Sequence, residues 1–223
     1  MLSFAGCNEP NQQTTTDTNQ PTVTTPTDTV KPNNTVKPEE TTKPAGIVKP
    51  EETAQLKQYS TLEEASSAAI LALKNKDMKT LAAMAGEKGV RFSPYSYIDL
   101  EKDVVLEPIV LENAYILSRT FVWGSYDGSG EPIDLPFAQY FDKFVYDKDF
   151  MNAPDVKFNE IIGTGNTINN IIEAYPDAEF AEYHFTGFDA QYEGMDWESL
   201  RLVFEKKDGN YYLVGIIHDG WTI

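Results

Sequence analysis

Residues 199–218 read SLRLVFEKKDGNYYLVGIIH, and this stretch decides the fold. Two runs rich in β-branched, aliphatic and aromatic residues flank Asp208-Gly209, and an Asp-Gly pair in that setting is typical of a two-residue hairpin turn. We therefore predict strands at 199–207 and 211–218. The side chains expected to alternate toward a shared core are Leu202, Phe204, Leu213 and Ile217.

Two helices are predicted ahead of this hairpin. Ser60 or Thr61, followed three residues later by a glutamate, forms a capping-box pattern, and apolar residues then recur at helical spacing over 61–74. Asn75-Lys76-Asp77 interrupts that pattern, and Asp77 can cap a second short helix that extends to Ala85.

The middle of the chain mixes both element types. Strands are predicted at Val90–Ser93, Thr120–Tyr126 and 178–186, and helices at 136–146 and 166–174. Two short apolar runs, 104–106 and 109–111, predict further short strands. Helices followed by a terminal antiparallel meander favour an α+β fold over a parallel sheet.

Three features resemble the NTF2-like (cystatin-like) superfold: the capped helix from Ser60, the joint at Asn75–Met78 and the final hairpin ending in Leu213–Ile217. The resemblance implies an N-terminal helix pair packed on a strongly curved antiparallel sheet, a cone with an open mouth. The predicted helix at 136–146 departs from the simplest version of that fold. The superfold hosts both enzymes and binding modules, so it does not supply a reaction.

Composition changes sharply before the helices. Residues 8–56 lack aromatic residues and carry short Thr-Val-Lys-Pro and Val-Lys-Pro-Glu-Glu-Thr repeats. Such a segment cannot bury enough apolar surface to offset its chain entropy, so we expect a disordered or extended linker with polyproline II character. Residues 57–223 are expected to form a single α+β domain.

Cys7 is the single cysteine of the chain and follows Phe4-Ala5-Gly6. This pattern resembles the lipobox of bacterial lipoproteins, and the whole layout resembles lipoproteins of Gram-positive bacteria. The resemblance implies residues 1–7 as the end of a signal peptide, a diacylglyceryl group on Cys7 and an extracytoplasmic domain anchored to the cell membrane. With one cysteine, no internal disulfide can form.

The chain is strongly acidic, with a formal net charge of −17. Four of the 18 basic and seven of the 35 acidic residues precede residue 57, which leaves −14 on the remainder. An acidic domain repels phosphate backbones, so we expect no nucleic-acid partner. The expected partners are the membrane, through the lipid on Cys7, and a cell-wall component, a peptide or a small ligand.

Catalytic signatures are weak. No nucleophile elbow, Walker loop or His-Glu-x-x-His pattern is present. Glu182 and His184 are expected on one face of a strand, so His184 with Glu182 or Asp189 is the candidate general acid/base pair. A metal between Glu182, His184 and His218 is a less favoured alternative, and no metal or other cofactor is expected.

Ligand-binding candidates are the cationic and aromatic residues that a curved sheet could gather at its mouth. They are Arg91, Tyr95, Tyr97, Trp123, His184 and Arg201.

Two functions follow as alternatives. The favoured one is a non-enzymatic, lipid-anchored extracytoplasmic module that binds an unidentified ligand. The other is a small NTF2-like hydrolase, isomerase or dehydratase that uses His184 with a nearby carboxylate.

Overall fold

A computed structural model describes residues 58–222 of this chain. The predictions for Cys7 and for the linker at 8–56 lie outside the described residues. The helices are α1 (Leu62–Lys74), α2 (Met78–Met84), α3 (Pro108–Leu111), α4 (Phe137–Phe144) and α5 (Ile171–Ala174). The strands are β1 (Val90–Ser93), β2 (Val104–Leu106), β3 (Thr120–Ser125), β4 (Pro132–Pro136), β5 (Asp155–Phe158), β6 (Glu179–Phe185), β7 (Glu198–Lys207) and β8 (Asn210–Gly220). The α+β prediction is confirmed.

Six strands form one sheet in the order β2-β1-β8-β7-β6-β5, and β3 pairs with β4 separately. Within the larger sheet, β1 runs parallel to β8, with Phe92 opposite Ile216. The prediction of an antiparallel sheet is therefore wrong at this pair, and the sheet is mixed. More than a hundred residues separate β1 from β8, so no hairpin fixes their relative direction.

The predicted terminal hairpin is confirmed. Asp208 and Gly209 have φ of 50° and 80°, the left-handed conformations of a type I′ turn, and Lys207 pairs with Asn210 across it. A register shift between Val203 and Phe204 places one extra residue on β8. This bulge reverses the alternation, so Ile217 lies opposite Arg201 and faces away from the core that holds Phe204.

The helix pair begins as its capping residues predict. Thr61 Oγ1 accepts a hydrogen bond from Glu64 N at 3.2 Å, and Glu64 Oε2 accepts one from Ser60 N at 3.4 Å. Asp77 Oδ1 accepts from Thr80 N at 3.0 Å at the start of α2. α1 contacts β6, β7 and β8, so the predicted helix pair packs on the sheet.

Both faces of the sheet are covered. On one face, Leu200, Leu202 and Phe204 join side chains of α1, α2, α4 and β3 in the main core. On the opposite face, a smaller cluster around Val203 and Ile217 packs against residues of the 159–178 segment. β6 and β7 carry polar side chains on this second face, and the fold therefore buries them.

Two predicted elements differ in the structure. The helix predicted at 166–174 is reduced to Ile171–Ala174, because Asn169 and Asn170 bond to backbone groups and compete with helical bonds. Asn170 spans to Ile98, accepting from its N at 2.8 Å and donating to its O at 3.0 Å. The strand predicted at 109–111 is instead α3, which begins at Pro108, a residue favoured in a first helical turn.

Among residues 58–222, no helix combines the length and apolar character needed to cross a lipid bilayer.

Candidate functional site

A cleft of about 810 Å³ lies against β1, β2 and the β7–β8 turn. This volume falls in the range of about 300–1,000 Å³ that small-ligand sites occupy. Arg91 contributes to its lining from β1, on the sheet face opposite α1. Arg91 Nη1 donates to the carbonyl oxygens of Asp99 and Asp103, both at 3.2 Å, which holds the guanidinium in place.

The cleft gathers charges of both signs. Lys88 and Lys207 accompany Arg91, and Glu205 and Asp208 provide carboxylates. An ion pair of 2.5 Å joins Lys207 to Glu87, but both side chains are mostly exposed, so it contributes little stability.

Tyr175 adds a hydroxyl to the same cleft. Burial raises the pKa of the Tyr175 hydroxyl, and the charge of nearby Arg91 partly opposes that rise. The arrangement offers a fixed guanidinium, a carboxylate and a hydroxyl to one ligand.

A second groove, of about 1080 Å³, runs along α1 and α2. Its polar lining is mainly acidic, with Glu63, Glu64 and Asp77 against Lys79. Volume alone does not define a site. The Arg91 cleft is the better candidate because a partly buried cation is fixed in it.

The structure does not bring the six predicted ligand residues together. Trp123 is 0% exposed, stacks on Tyr140 at 4.0 Å and donates from Nε1 to Leu135 O at 2.8 Å. Tyr95 accepts a hydrogen bond from Asp127 N at 3.1 Å and packs edge-on against Phe144. Tyr97 is 52% exposed. The prediction that these residues share one open mouth is wrong, because Trp123 is buried in the apolar main core.

Arg201 is also fully buried, within a polar network on the second face of the sheet. Its Nε donates to Glu182 Oε2 and its Nη1 to Asp219 Oδ2, both at 2.8 Å, and its Nη2 donates to Gly163 O at 2.8 Å. Burial alone would raise the pKa of Glu182, but Arg201 and further hydrogen bonds outweigh it and lower the pKa. The ligand prediction for Arg201 is replaced by this internal ion-pair role.

Gly163 connects the 159–178 segment to this network. Its N donates to Glu182 Oε1 at 2.8 Å. A Cβ at residue 163 would lie 2.5 Å from both Ser199 Oγ and the Trp197 ring. Close backbone approach thus explains a glycine at this position.

Glu182 and His184 lie on one face of β6, as predicted, and Ser199 bridges them. Ser199 Oγ donates to Glu182 Oε1 at 2.6 Å and lies 2.8 Å from His184 Nδ1. Burial lowers the pKa of His184, which is 5% exposed. This pair is enclosed and internally bonded. Asp189 instead caps a 3₁₀ turn by accepting from Gln191 N at 2.9 Å.

His218 lies on the other face of the sheet, since it pairs with Leu200 while His184 pairs with Ser199. The hypothetical metal between Glu182, His184 and His218 is therefore wrong. His218 Nε2 lies 3.3 Å from Asp147 Oδ1 and 3.0 Å from Glu198 Oε2. Burial alone would lower the pKa of His218, but these two carboxylates outweigh it and raise the pKa to about 9.

Comparisons with known proteins add little. No protein-family model and no curated protein matches this chain. A crystal structure from Xanthomonas campestris, described as a calcium/calmodulin dependent protein kinase II association domain, is similar at 10% identity. The match covers 68% of this chain and 79% of that one, with a TM-score of 0.28. A TM-score this low carries no argument about function.

The sequence predicts Arg91 as a ligand-binding residue but does not indicate the charged and polar residues that share its cleft. Glu205 and Tyr175 are far from Arg91 in sequence and reach the cleft through β7 and the end of α5. Asp147, whose side chain is 14% exposed and faces His218, is not singled out by the sequence. The sequence places Asp147 directly after an amphipathic helix, but it does not show that this segment packs against the strand that carries His218.

Proposed function

We propose that this chain is a lipid-anchored, extracytoplasmic binding module, and that the Arg91 cleft binds a peptide-like ligand with a free carboxylate and a free amine. The observation that carries the proposal is the fixed, partly buried guanidinium of Arg91 inside a cleft of ligand size. The anchoring part rests on the lipobox-like Phe4–Cys7 and the proline-rich linker.

The chemistry of the cleft supports a zwitterion. A guanidinium binds a carboxylate through two parallel N–H donors, which for Arg91 are Nε and Nη2, because Nη1 donates to two backbone carbonyl oxygens. A carboxylate such as Glu205 pairs with an amine. Val105, Pro108 and Val214 also line the cleft and suit small apolar side chains. A short peptide meets all three requirements.

The NTF2-like cone is part of the same proposal. The helix pair against a six-stranded sheet and the terminal β7–β8 hairpin support it. The parallel β1–β8 pair is retained within that assignment as a variation at one side of the sheet.

Calorimetric titration of the full chain with alanyl-alanine tests the ligand class. We expect binding that is lost on N-acetylation or on C-amidation of the dipeptide, because each change removes one charge. Arg91→Lys keeps the charge but loses the fork, and should weaken binding at least about tenfold.

Arg119→Lys is the matched control, since Arg119 is exposed and stacks on Phe121, away from the cleft. Thermal unfolding checks that each variant is folded. Equal affinity of wild type and Arg91→Lys, or equal affinity for blocked and free dipeptides, would remove the proposal.

A further inference from the structure

Asp147, Glu198 and His218 converge at one point on the helix-covered face of the sheet. Their nearest side-chain ligand atoms all lie within 4.8 Å of one another. His218 is 8% exposed, and Glu198 and Asp147 are partly exposed, so the point is both shielded and reachable.

The imidazole of His218 has no hydrogen-bond partner of good geometry. Its Nε2 lies within 3.3 Å of both carboxylates, but Nε2, Asp147 Oδ1 and Glu198 Oε2 are all buried without a hydrogen bond. The two oxygens therefore lie off the N–H direction. The three groups attract one another electrostatically, but buried polar atoms that make no hydrogen bond are costly, and three of them at one point require an explanation.

A metal ion accounts for this geometry. With metal–ligand bonds of about 2.1 Å, the 3.0 and 3.3 Å separations of His218 Nε2 from the two carboxylate oxygens correspond to angles of about 90–105° at the metal, between octahedral and tetrahedral angles. Side-chain atoms that bind one metal ion point toward the ion and not toward one another. The lack of hydrogen bonds between His218 and the two carboxylates agrees with this arrangement. We propose that Asp147, Glu198 and His218 bind a divalent transition-metal ion, with Zn²⁺ the best fit.

The donor set selects the metal. Imidazole nitrogen with carboxylate oxygens suits Zn²⁺ and its first-row neighbours, whereas Ca²⁺ and Mg²⁺ take oxygen ligands. Three protein ligands leave a coordination position for water, as in zinc sites that are not purely structural.

Lys148 and Phe144 border the site. Lys148 Nζ lies 2.6 Å from Asp147 Oδ2 and 3.4 Å from Glu198 Oε1, so its positive charge lies beside both carboxylates and competes with a metal ion for them. The ring of Phe144 packs edge-on against His218, at 6.0 Å between ring centres, and restricts its rotation. The site lies on the opposite sheet face from the Arg91 cleft, and the two proposals are independent.

The test uses the untagged full chain in a Cys7→Ser background, which removes its single thiol as a competing zinc ligand. After chelator treatment and dialysis, titration with Zn²⁺ should give one site per chain, and Co²⁺ should give visible d–d absorption. Asp147→Asn, Glu198→Gln and His218→Gln should each weaken Zn²⁺ binding at least about tenfold. Asp142→Asn is the matched control, because Asp142 is exposed and pairs with Lys76.

Lys148→Met separates a metal site from a cluster of ion pairs. A metal site should bind Zn²⁺ more tightly in this variant, since a competing positive charge is removed. Absence of stoichiometric Zn²⁺ or Co²⁺ binding, or equal binding by wild type and all three ligand variants, would overturn the proposal. Thermal unfolding without metal shows which variants remain folded, and any one folded ligand variant decides the result.

Discussion

At the scale of single residues, buried charges define this protein. Arg201 is enclosed by Glu182 and Asp219, and its Nε, Nη1 and Nη2 each donate to an acceptor. Such a group costs several kcal/mol to desolvate, and its partners repay that cost only while the whole arrangement is intact. Arg201 therefore has a structural role, and its guanidinium is not available to bind a ligand.

Asp103 is a half-buried carboxyl group whose pKa shifts in the opposite direction to that of Glu182. It accepts hydrogen bonds from Ser93 Oγ and from Asp99 N, yet burial outweighs them and raises its pKa to about 6. In the unfolded chain the pKa is about 3.9. Because the folded state holds the proton more tightly, this group stabilises the fold below pH 4, and that stability is lost as pH rises through about 6.

Asp103→Asn should remove this pH-dependent contribution, because its amide is neutral at every pH. We expect the thermal midpoint of Asp103→Asn relative to wild type to be higher at pH 7.5 than at pH 4.5. Asp134→Asn, at an exposed position on β4, is the matched control. A midpoint difference that is constant across this pH range would contradict the assignment.

At the scale of elements, the β7–β8 hairpin organises the sheet. It occupies two central positions of the six-stranded order and makes the most extensive pairing in the molecule's described part. Its type I′ turn and its bulge follow local rules, but the bulge changes which side chains enter which core. The two-residue alternation of a strand therefore does not by itself predict the sheet face on which Ile217 lies.

Phe204→Ala should lower the stability of the domain strongly. Phe204 is 0% exposed in the main core, and truncation of a buried Phe costs about 3–5 kcal/mol through lost burial and a cavity. Chemical denaturation should show a large drop in the free energy of unfolding. Lys207→Ala, on the same strand at the exposed turn, should change it by less than about 1 kcal/mol. Similarly small losses in both variants would show that the hairpin is peripheral to stability.

At the scale of the whole molecule, the described domain presents two separate candidate sites on opposite faces of one sheet. The Arg91 cleft is built from β1, β7, β8 and α5, and the His218 cluster from β7, β8 and the segment after α4. The shared strands hold both in fixed positions. A ligand at one site need not compete with an ion at the other.

Membrane attachment is the prediction that belongs to the full chain. In a bacterium that processes lipoproteins, Cys7 should incorporate a palmitate analogue, and the protein should sediment with membranes. Two acyl chains anchor far better than one, at about 0.8 kcal/mol per buried methylene. Cys7→Ser should abolish labelling and release the protein. Equal labelling of both forms would reject Cys7 as the lipid site.

The sequence by itself determined the local elements of this domain. Thr61 and Asp77 as helix caps, Asp208-Gly209 as a turn and the face shared by Glu182 and His184 depend on neighbours within a few residues, so they could be predicted. The α+β class followed from their order.

Only the tertiary structure decided the direction of β1 along β8, the burial of Trp123 and Arg201, and the meeting of Asp147 with His218. Each depends on contacts between residues remote in the chain, where alternation gives a face but does not tell which of two faces is covered, or by what. Both faces of this sheet are covered, so side chains predicted to meet a ligand were instead enclosed. The candidate sites lie where packing left a charge partly exposed or a buried imidazole without a hydrogen bond.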